Sequence, residues 1–278
     1  MKAYKTPLRY PGGKSRAVQK LFEYIPEDRT FNEFREPFLG GGSFAIEWSK
    51  RYPDTAVWVS DLYEPLVNFW QYVQTDGKRL RDELVQLKYR HPESSSAKEL
   101  FLESKDYLAT GDNNFHRAVS FYVINKCSFS GLTESSSFSK QASESNFSMR
   151  GIDRIPGFQD IIKKWRITKS DYEVLLTNDE DIFVYLDPPY DIKDNLYGKS
   201  GDMHKGFDHD RFASICDKYK CPQLISYNAS QLVRNRFQGW QASEFQHTYT
   251  MRSVGEYMKD QQGRKELLVF NYENTRSA

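Results

Sequence analysis

Cysteine is scarce in this chain, and the three present, Cys127, Cys216 and Cys221, form no CxxC pair and no evident disulfide framework. A reducing, cytoplasmic setting is the expectation that follows. Histidine is equally thin. His91, His116, His204, His209 and His247 are scattered, so no metal site is expected. No apolar run approaches the length of a membrane span, and the N-terminus lacks a signal peptide's apolar core, so no membrane partner is expected. Charge of one sign is missing too. A net charge of +1 does not advertise the broad basic surface of a non-specific nucleic-acid binder, though an average of this kind hides local patches. Lys14 follows Gly12 and Gly13, but without the GxxxxGK[ST] spacing of a phosphate loop, which leaves a weak nucleotide signal beside a simple exposed turn.

What is abundant is the aromatic ring, at 15% of 278 residues, in a chain long enough for one large domain or one domain with a sizeable insertion. The most informative stretch is the apolar run Ile182-Phe183-Val184-Tyr185-Leu186 followed by Asp187-Pro188-Pro189-Tyr190. Five apolar, partly β-branched residues read as a buried parallel strand, and two prolines cannot continue its ladder. Ligands of open α/β sheets bind beyond the carboxyl ends of the strands, so Asp187 and Tyr190 are expected in that crevice. There a carboxylate and the carbonyls next to the prolines offer acceptors for an amino group. An aromatic ring beside them can stack on a planar base.

Upstream, Phe38-Leu39-Gly40-Gly41-Gly42-Ser43 joins a short strand to a helical pattern, a tight turn with room for a ligand against backbone amides. One half-unit further on, the strand Ala56 to Ser60 ends in Asp61. An acid there suits a ribose diol, and it also suits a helix N-cap. The alternation of strands and helices then stops. Helical patterns over Glu64–Lys88, Ala97–Ala109 and Phe115–Cys127 interrupt it, and a serine-rich segment, Ser128 to Arg150, follows. Its composition is expected to build no core and to form a surface loop. Phe129, Phe138 and Phe147 among hydroxyls, flanked by Lys126, Lys140, Arg150 and Arg154, equally suit a polyanion. Strand Trp165–Lys169, a helix from Glu173, the strand before Asp187, a polar loop Asp191–Gly206, helix Asp208–Tyr219, strand Gln223–Tyr227, helix Ser230–Phe237 and strand Glu266–Tyr272 complete the pattern. An opening helix is expected over Ser15–Tyr24.

The order Tyr10-Pro11-Gly12-Gly13-Lys14, Glu36-Pro37-Phe38-Leu39-Gly40-Gly41-Gly42-Ser43, Asp61 and Asp187-Pro188-Pro189-Tyr190 resembles the Dam-type, alpha-group (D12 class) DNA adenine-N6 methyltransferases. The likeness extends to Asn125 through Leu132, to His204 through His209 and to Gly263 through Val269, and so spans nearly the whole chain. The resemblance implies an α/β fold, a Rossmann-like seven-stranded sheet that binds S-adenosyl-L-methionine. Residues 1–61 and 165–278 would form its catalytic domain, and 62–164 an inserted, mainly helical target-recognition subdomain.

The resemblance also implies roles. Tyr10 and Lys14 would border the cofactor, the Phe38 to Gly42 turn with Gly40 and Gly42 would hold its methionine part, Ser43 would also bind the cofactor, and Asp61 would accept its ribose hydroxyls. Asp171 and Tyr172 would flank its adenine. Asp187 would meet both the cofactor and the target amine, with Pro188, Pro189 and Tyr190 completing the catalytic set. Double-stranded DNA would be the partner, met through Asn125, Lys126, Phe129, Glu134 and Arg150 by a monomer or weak dimer. GATC-specific members resemble Gly-Leu-Cys-Arg where this chain has Gly131-Leu132-Thr133-Glu134. Glu134 would repel guanine's acceptors and prefer a cytosine amino group, which puts GATC specificity in doubt. Cytosine-N4 methylation and a catalytically inactive DNA-binding relative are the alternatives.

Overall fold

The computed structural model describes residues 6–10, 12–131, 136–190, 206–246 and 265–274. The expectations for Pro11, for Leu132 to Glu134, for all but the last residue of the Asp191–Gly206 loop, and for Gly263 and Arg264 fall outside the described residues.

Seven strands form one sheet: β1 (Glu33–Glu36), β2 (Ala56–Asp61), β3 (Trp165–Lys169), β4 (Ile182–Leu186), β5 (Gln223–Asn228), β6 (Gln241–Gln246) and β7 (Lys265–Phe270). Their order is β3-β2-β1-β4-β5-β7-β6, with β7 running antiparallel to both its neighbours. β1 pairs in parallel with β2 on one side and β4 on the other, so the chain reverses its direction of travel across the sheet between them. That is where the carboxyl ends of two adjacent strands splay apart and leave a crevice. Every residue of β4 is buried, as a central parallel strand covered on both faces requires.

Helix α2 (Ser43–Arg51) presses Phe44 and Trp48 onto the sheet. Phe44 stacks on Tyr185 with ring centroids 4.0 Å apart, and Trp48 lies 4.5 Å from Phe34 and 5.3 Å from Phe183. The aromatic content is therefore largely core. The opening helix is broken into a 3₁₀ turn, one α-turn, α1 (Val18–Leu21), and a second 3₁₀ turn. After β2 come α3 (Glu64–Arg90), α4 (Ser94–Thr110) and α5 (Asn114–Cys127), close to the expected bounds. Pro65 sits in the first turn of α3, where its missing N–H goes unneeded. The helix kinks at Asp76, whose φ of −144° is not helical, directly before Gly77. One continuous hydrophobic core joins these helices to the sheet, from Phe34 and Phe183 to Leu100, Phe121 and Tyr122.

The serine-rich segment corrects the expectation that it builds no core. Phe147 is fully buried and edge-on to Tyr122, and Ala142 and Ser143 are buried as well. Its serines act as helix caps: Ser139 Oγ accepts from the Ala142 amide ahead of α6 (Lys140–Ser145), and Ser148 Oγ from the Gly151 amide ahead of α7 (Met149–Ile152). Residues that look like loop by composition thus start helices by position. After α8 (Pro156–Ile162), the helix expected from Glu173 is a single 3₁₀ turn, Tyr172–Leu175. Strand β6 escaped the residue pattern because Gln241-Ala-Ser-Glu-Phe-Gln is polar and lies at the sheet's edge. The last two helices, α9 (His209–Cys216) and α10 (Gln231–Arg236), are shorter than expected.

Candidate active site

Asp187 leaves the carboxyl end of β4 beside the reversal point, with its side chain 22% exposed. Its Oδ1 is 3.0 Å from the Nζ of Lys14, which is 3% exposed and reaches in from the segment before β1. The same ammonium lies 3.3 Å from Oε1 of Glu266 on β7, donates to the Gly12 carbonyl at 3.2 Å, and donates to the Tyr190 hydroxyl. That hydroxyl in turn donates to Glu266 at 2.9 and 2.6 Å. Lys14 Nζ also sits 4.7 Å from the centroid of the Tyr190 ring, a cation–π distance. Three chain segments thus converge on one buried cation and two carboxylates.

The charges are poised rather than neutralised. Burial works against the Lys14 ammonium, but Asp187 and Glu266 outweigh it and hold its pKa above the ordinary value. Burial pushes Asp187 up to about 6, helped by the Glu266 charge and opposed by Lys14. A carboxylate at that value is ionised near neutral pH and still a strong acceptor.

On the other side of the crevice the glycine turn is held from beneath. Gly40 and Gly42 have φ of 46° and 66°, the left-handed region that glycine tolerates without strain. A Cβ on Gly40 would lie 2.8 Å from Tyr10 Cε1, so Tyr10 packs directly on the turn. Asp61 Oδ2 accepts the Gly40 amide at 3.0 Å and Oδ1 accepts the Tyr63 amide at 3.0 Å, just before α3. Asp61 is thus not the N-cap of α3, which is Tyr63, but braces the turn and the approach to the helix, and each of its oxygens keeps a second lone pair for a ligand's hydroxyl. Burial raises Asp61 to about 6. Glu36 at the end of β1 is buried, accepts the Ala45 amide at 2.8 Å, and is driven well above the carboxylate range by burial and by the Asp187 and Asp61 charges. Ser43 Oγ, also buried, meets Ser15 Oγ at 2.8 Å.

Asp171 caps the 3₁₀ turn by accepting the Glu173 amide at 3.1 Å. Tyr172 is 4% exposed and stacks on Phe38, with centroids 5.6 Å apart, while its hydroxyl accepts from Arg211 at 3.1 Å. Its ring is thus spent largely on the protein's own core. Leu62, next to Asp61, and Val174, two residues after Tyr172, are 51% and 56% exposed and offer apolar surface instead.

The residues expected at the DNA face are placed unequally. Asn125 is fully buried: its Oδ1 accepts the Arg9 amide at 2.9 Å and its Nδ2 donates to the carbonyls of Arg9 and Gly131. It braces the loop rather than pointing outward. Lys126 is 8% exposed, and burial, with Arg9 and Arg154 nearby, lowers it to about 7. Phe129 is 44% exposed and Arg150 is exposed on α7, whereas Glu134 lies outside the described residues.

The pattern of residues gave no role to Glu266, which it placed only within the Gly263 to Val269 likeness, or to Arg9 or Tyr227, which stacks on Tyr190 at 6.1 Å and meets His209 Nδ1 at 2.6 Å. One signal was available for Glu266. It is the acid beside four consecutive apolar residues, Leu267 to Phe270. Among the described residues no cluster of His, Cys, Asp and Glu could hold a metal ion, and no helix is long and apolar enough to cross a membrane.

A family model for D12 class N6 adenine-specific DNA methyltransferases matches residues 10–251. The chain is 23% identical over 289 aligned positions to the type II methyltransferase M.MjaIII of Methanocaldococcus jannaschii, covering 95% of this chain and 98% of that one. It is 23% identical over 276 positions to the type II methyltransferase M.CviBI of Paramecium bursaria Chlorella virus NC1A, with the same two coverages, 95% and 98%. A DNA adenine methylase of Vibrio cholerae is 28% identical over 133 residues, 48% of this chain and 44% of that protein.

Proposed function

The chain belongs to the D12 class N6 adenine-specific DNA methyltransferases, and from that premise we propose that it takes its methyl group from S-adenosyl-L-methionine and acts at specific sites of double-stranded DNA. The observation that carries the reading is the Asp187 carboxylate, set at the carboxyl end of β4 across the crevice from the glycine turn, with Tyr190 three residues on.

The crevice suits that cofactor. Gly40 and Gly42 carry no Cβ and keep the turn tight at the start of α2, Asp61 can accept hydroxyls, and Leu62 offers an apolar face to a base. When bound, S-adenosyl-L-methionine supplies an electrophilic methyl group. The protein's own residues supply position. The exocyclic amine of adenine is a poor nucleophile because its lone pair is delocalised into the ring. Asp187 and the Pro188 carbonyl would accept its two hydrogens and favour a pyramidal nitrogen, freeing the lone pair for in-line attack. Since the amine is out of reach inside a duplex, the base would be flipped out and stacked on Tyr190.

We assign residues 62–164 to target recognition and residues 1–61 and 165–278 to catalysis. Arg150 would meet phosphates and Phe129 would wedge or stack, whereas Lys126, buried with its Nζ 5.2 Å from the Tyr122 ring centroid, is withdrawn from that face, and Asn125 would act indirectly by holding the loop that carries Phe129 to Gly131. Tyr10 and Lys14 border the same crevice, and Asp171 and Tyr172 shape its far end. The test is radiolabelled transfer from S-adenosyl-L-methionine to duplex DNA, followed by digestion to nucleosides. Label should appear in N6-methyladenine with the wild-type protein and vanish with a folded Asp187→Ala variant. Near-normal turnover in that variant would overturn the assignment.

A further inference from the structure

The geometry points to Glu266 as a positioning residue for methyl transfer, one that fixes the plane of the Tyr190 ring and keeps the Lys14 ammonium on Asp187. This rests on the adenine-N6 reading of the site. Glu266 stands on β7, the antiparallel strand, remote in sequence from the glycine turn and from the Asp-Pro-Pro-Tyr segment. Its side chain is 1% exposed, and Leu267 to Phe270 after it are all buried core.

A strand of that kind has no need of an acid for its own stability. Replacing a buried ion pair with apolar groups of similar volume is often neutral or stabilising, so the carboxylate calls for another explanation. The explanation lies in what it holds. The Tyr190 hydroxyl donates to both Glu266 oxygens, at 2.9 and 2.6 Å, which pins the far end of a ring whose face stacks on Tyr227. Lys14, 3.3 Å from the same carboxylate and 3.0 Å from Asp187, is shared between the two acids. Glu266 therefore links the stacking platform and the amine acceptor through one buried point. A flipped adenine aligns with the acceptors on Asp187 and Pro188 only if the ring beneath it has a fixed tilt, and near-attack geometry is steep in such displacements. Glu266 itself touches neither base nor cofactor in this scheme and acts through its two partners.

The test compares wild type, Glu266→Gln, Tyr190→Phe and the double variant in single-turnover methylation of plasmid DNA, with cofactor affinity measured separately by calorimetry. Losing a charge-assisted hydrogen bond should lower the Glu266→Gln rate about 10- to 100-fold. The dissociation constant for S-adenosyl-L-methionine and the KM for DNA should stay within about twofold, a split that a general loss of structure would not give. Tyr190→Phe keeps the ring but removes its tether and should fall in the same range. Because both variants act on the same Tyr190–Glu266 hydrogen bond, which Glu266→Gln weakens and Tyr190→Phe removes, the double variant should be no slower than the worse single variant by more than about threefold. A wild-type rate in Glu266→Gln, a loss confined to cofactor affinity, or a multiplicative loss in the double variant would overturn the inference. If Glu266→Gln does not fold, a wild-type rate in Tyr190→Phe overturns it alone. Failure of the underlying reading looks different, since the wild-type protein would then place no methyl group on adenine N6.

Discussion

Removing the Lys14 charge should move the acid limb of the activity profile upward, and the size of the move follows from the site. Asp187 must be ionised to accept the amine's hydrogen. Its pKa is raised by burial to about 6, above the ordinary carboxylate range, so activity should be lost as pH falls through about 6 and be present above it. Lys14 is the group that keeps this value from rising further, at 3.0 Å. Two unit charges at that separation interact by about 5 kcal/mol at an effective dielectric of about 20. Glu266 claims part of the same cation, so the realised effect is nearer the 1 to 3 pKa units, roughly, that a close opposite charge usually supplies.

In Lys14→Met the Asp187 pKa should accordingly lie at about 7 to 9, and the ionised fraction at pH 7 should fall from about nine-tenths to between about one-half and one-hundredth. Single-turnover rates measured from pH 5 to pH 10 at saturating cofactor are the assay. The variant should be slow at pH 7 and recover much of its rate as pH rises past the new limb. Glu266→Gln should shift the limb the other way, because the Glu266 charge raises Asp187. An acid limb unmoved in Lys14→Met, or a rate that stays low at every pH, would refute the electrostatic role and leave Lys14 a purely steric neighbour.

Asp61→Ala should raise the cofactor dissociation constant in calorimetry, and it should also destabilise the fold by about 2 to 4 kcal/mol in denaturant unfolding, because the buried amides of Gly40 and Tyr63 lose their acceptor. Unchanged cofactor affinity would reduce Asp61 to a brace. Phe147→Ala should cost about 3 to 5 kcal/mol of stability, as removal of a fully buried aromatic does, and a loss well under 1 kcal/mol would mean that the serine-rich segment is not core. Phe129→Ala should weaken methylation while leaving stability within about 0.5 kcal/mol, since the ring is 44% exposed. Glu134→Arg should change the preferred sequence around the methylated adenine in profiling over a randomised duplex library, whereas Arg150→Ala should weaken all sequences evenly. An unaltered site preference in Glu134→Arg would place base reading elsewhere in the chain.

The parts of the fold legible in the sequence were those where one physical demand acts on consecutive residues. A fully buried parallel strand needs an unbroken apolar run, and Ile182 to Leu186 is one; long helices on a core need a repeating apolar face, and Glu64 to Arg90 has one. Legibility failed where the deciding contact is remote. Strand β6 is polar and becomes a strand only because β7 offers it a ladder. The 128–150 segment reads as loop by composition, yet Ser139 and Ser148 cap helices and Phe147 finds a cavity beside Tyr122, facts that no local window contains. The site divides in the same way. Asp187 and the glycine turn announce themselves because strand ends and tight turns have local signatures, whereas Glu266 matters only through partners 76 and 252 positions away in the chain, at Tyr190 and Lys14. A buried ion cluster assembled from distant segments leaves one trace in a sequence, a charged residue beside a run that should be apolar. Glu266 before Leu-Leu-Val-Phe is such a trace, and its environment, not its neighbours, decides what the charge is for.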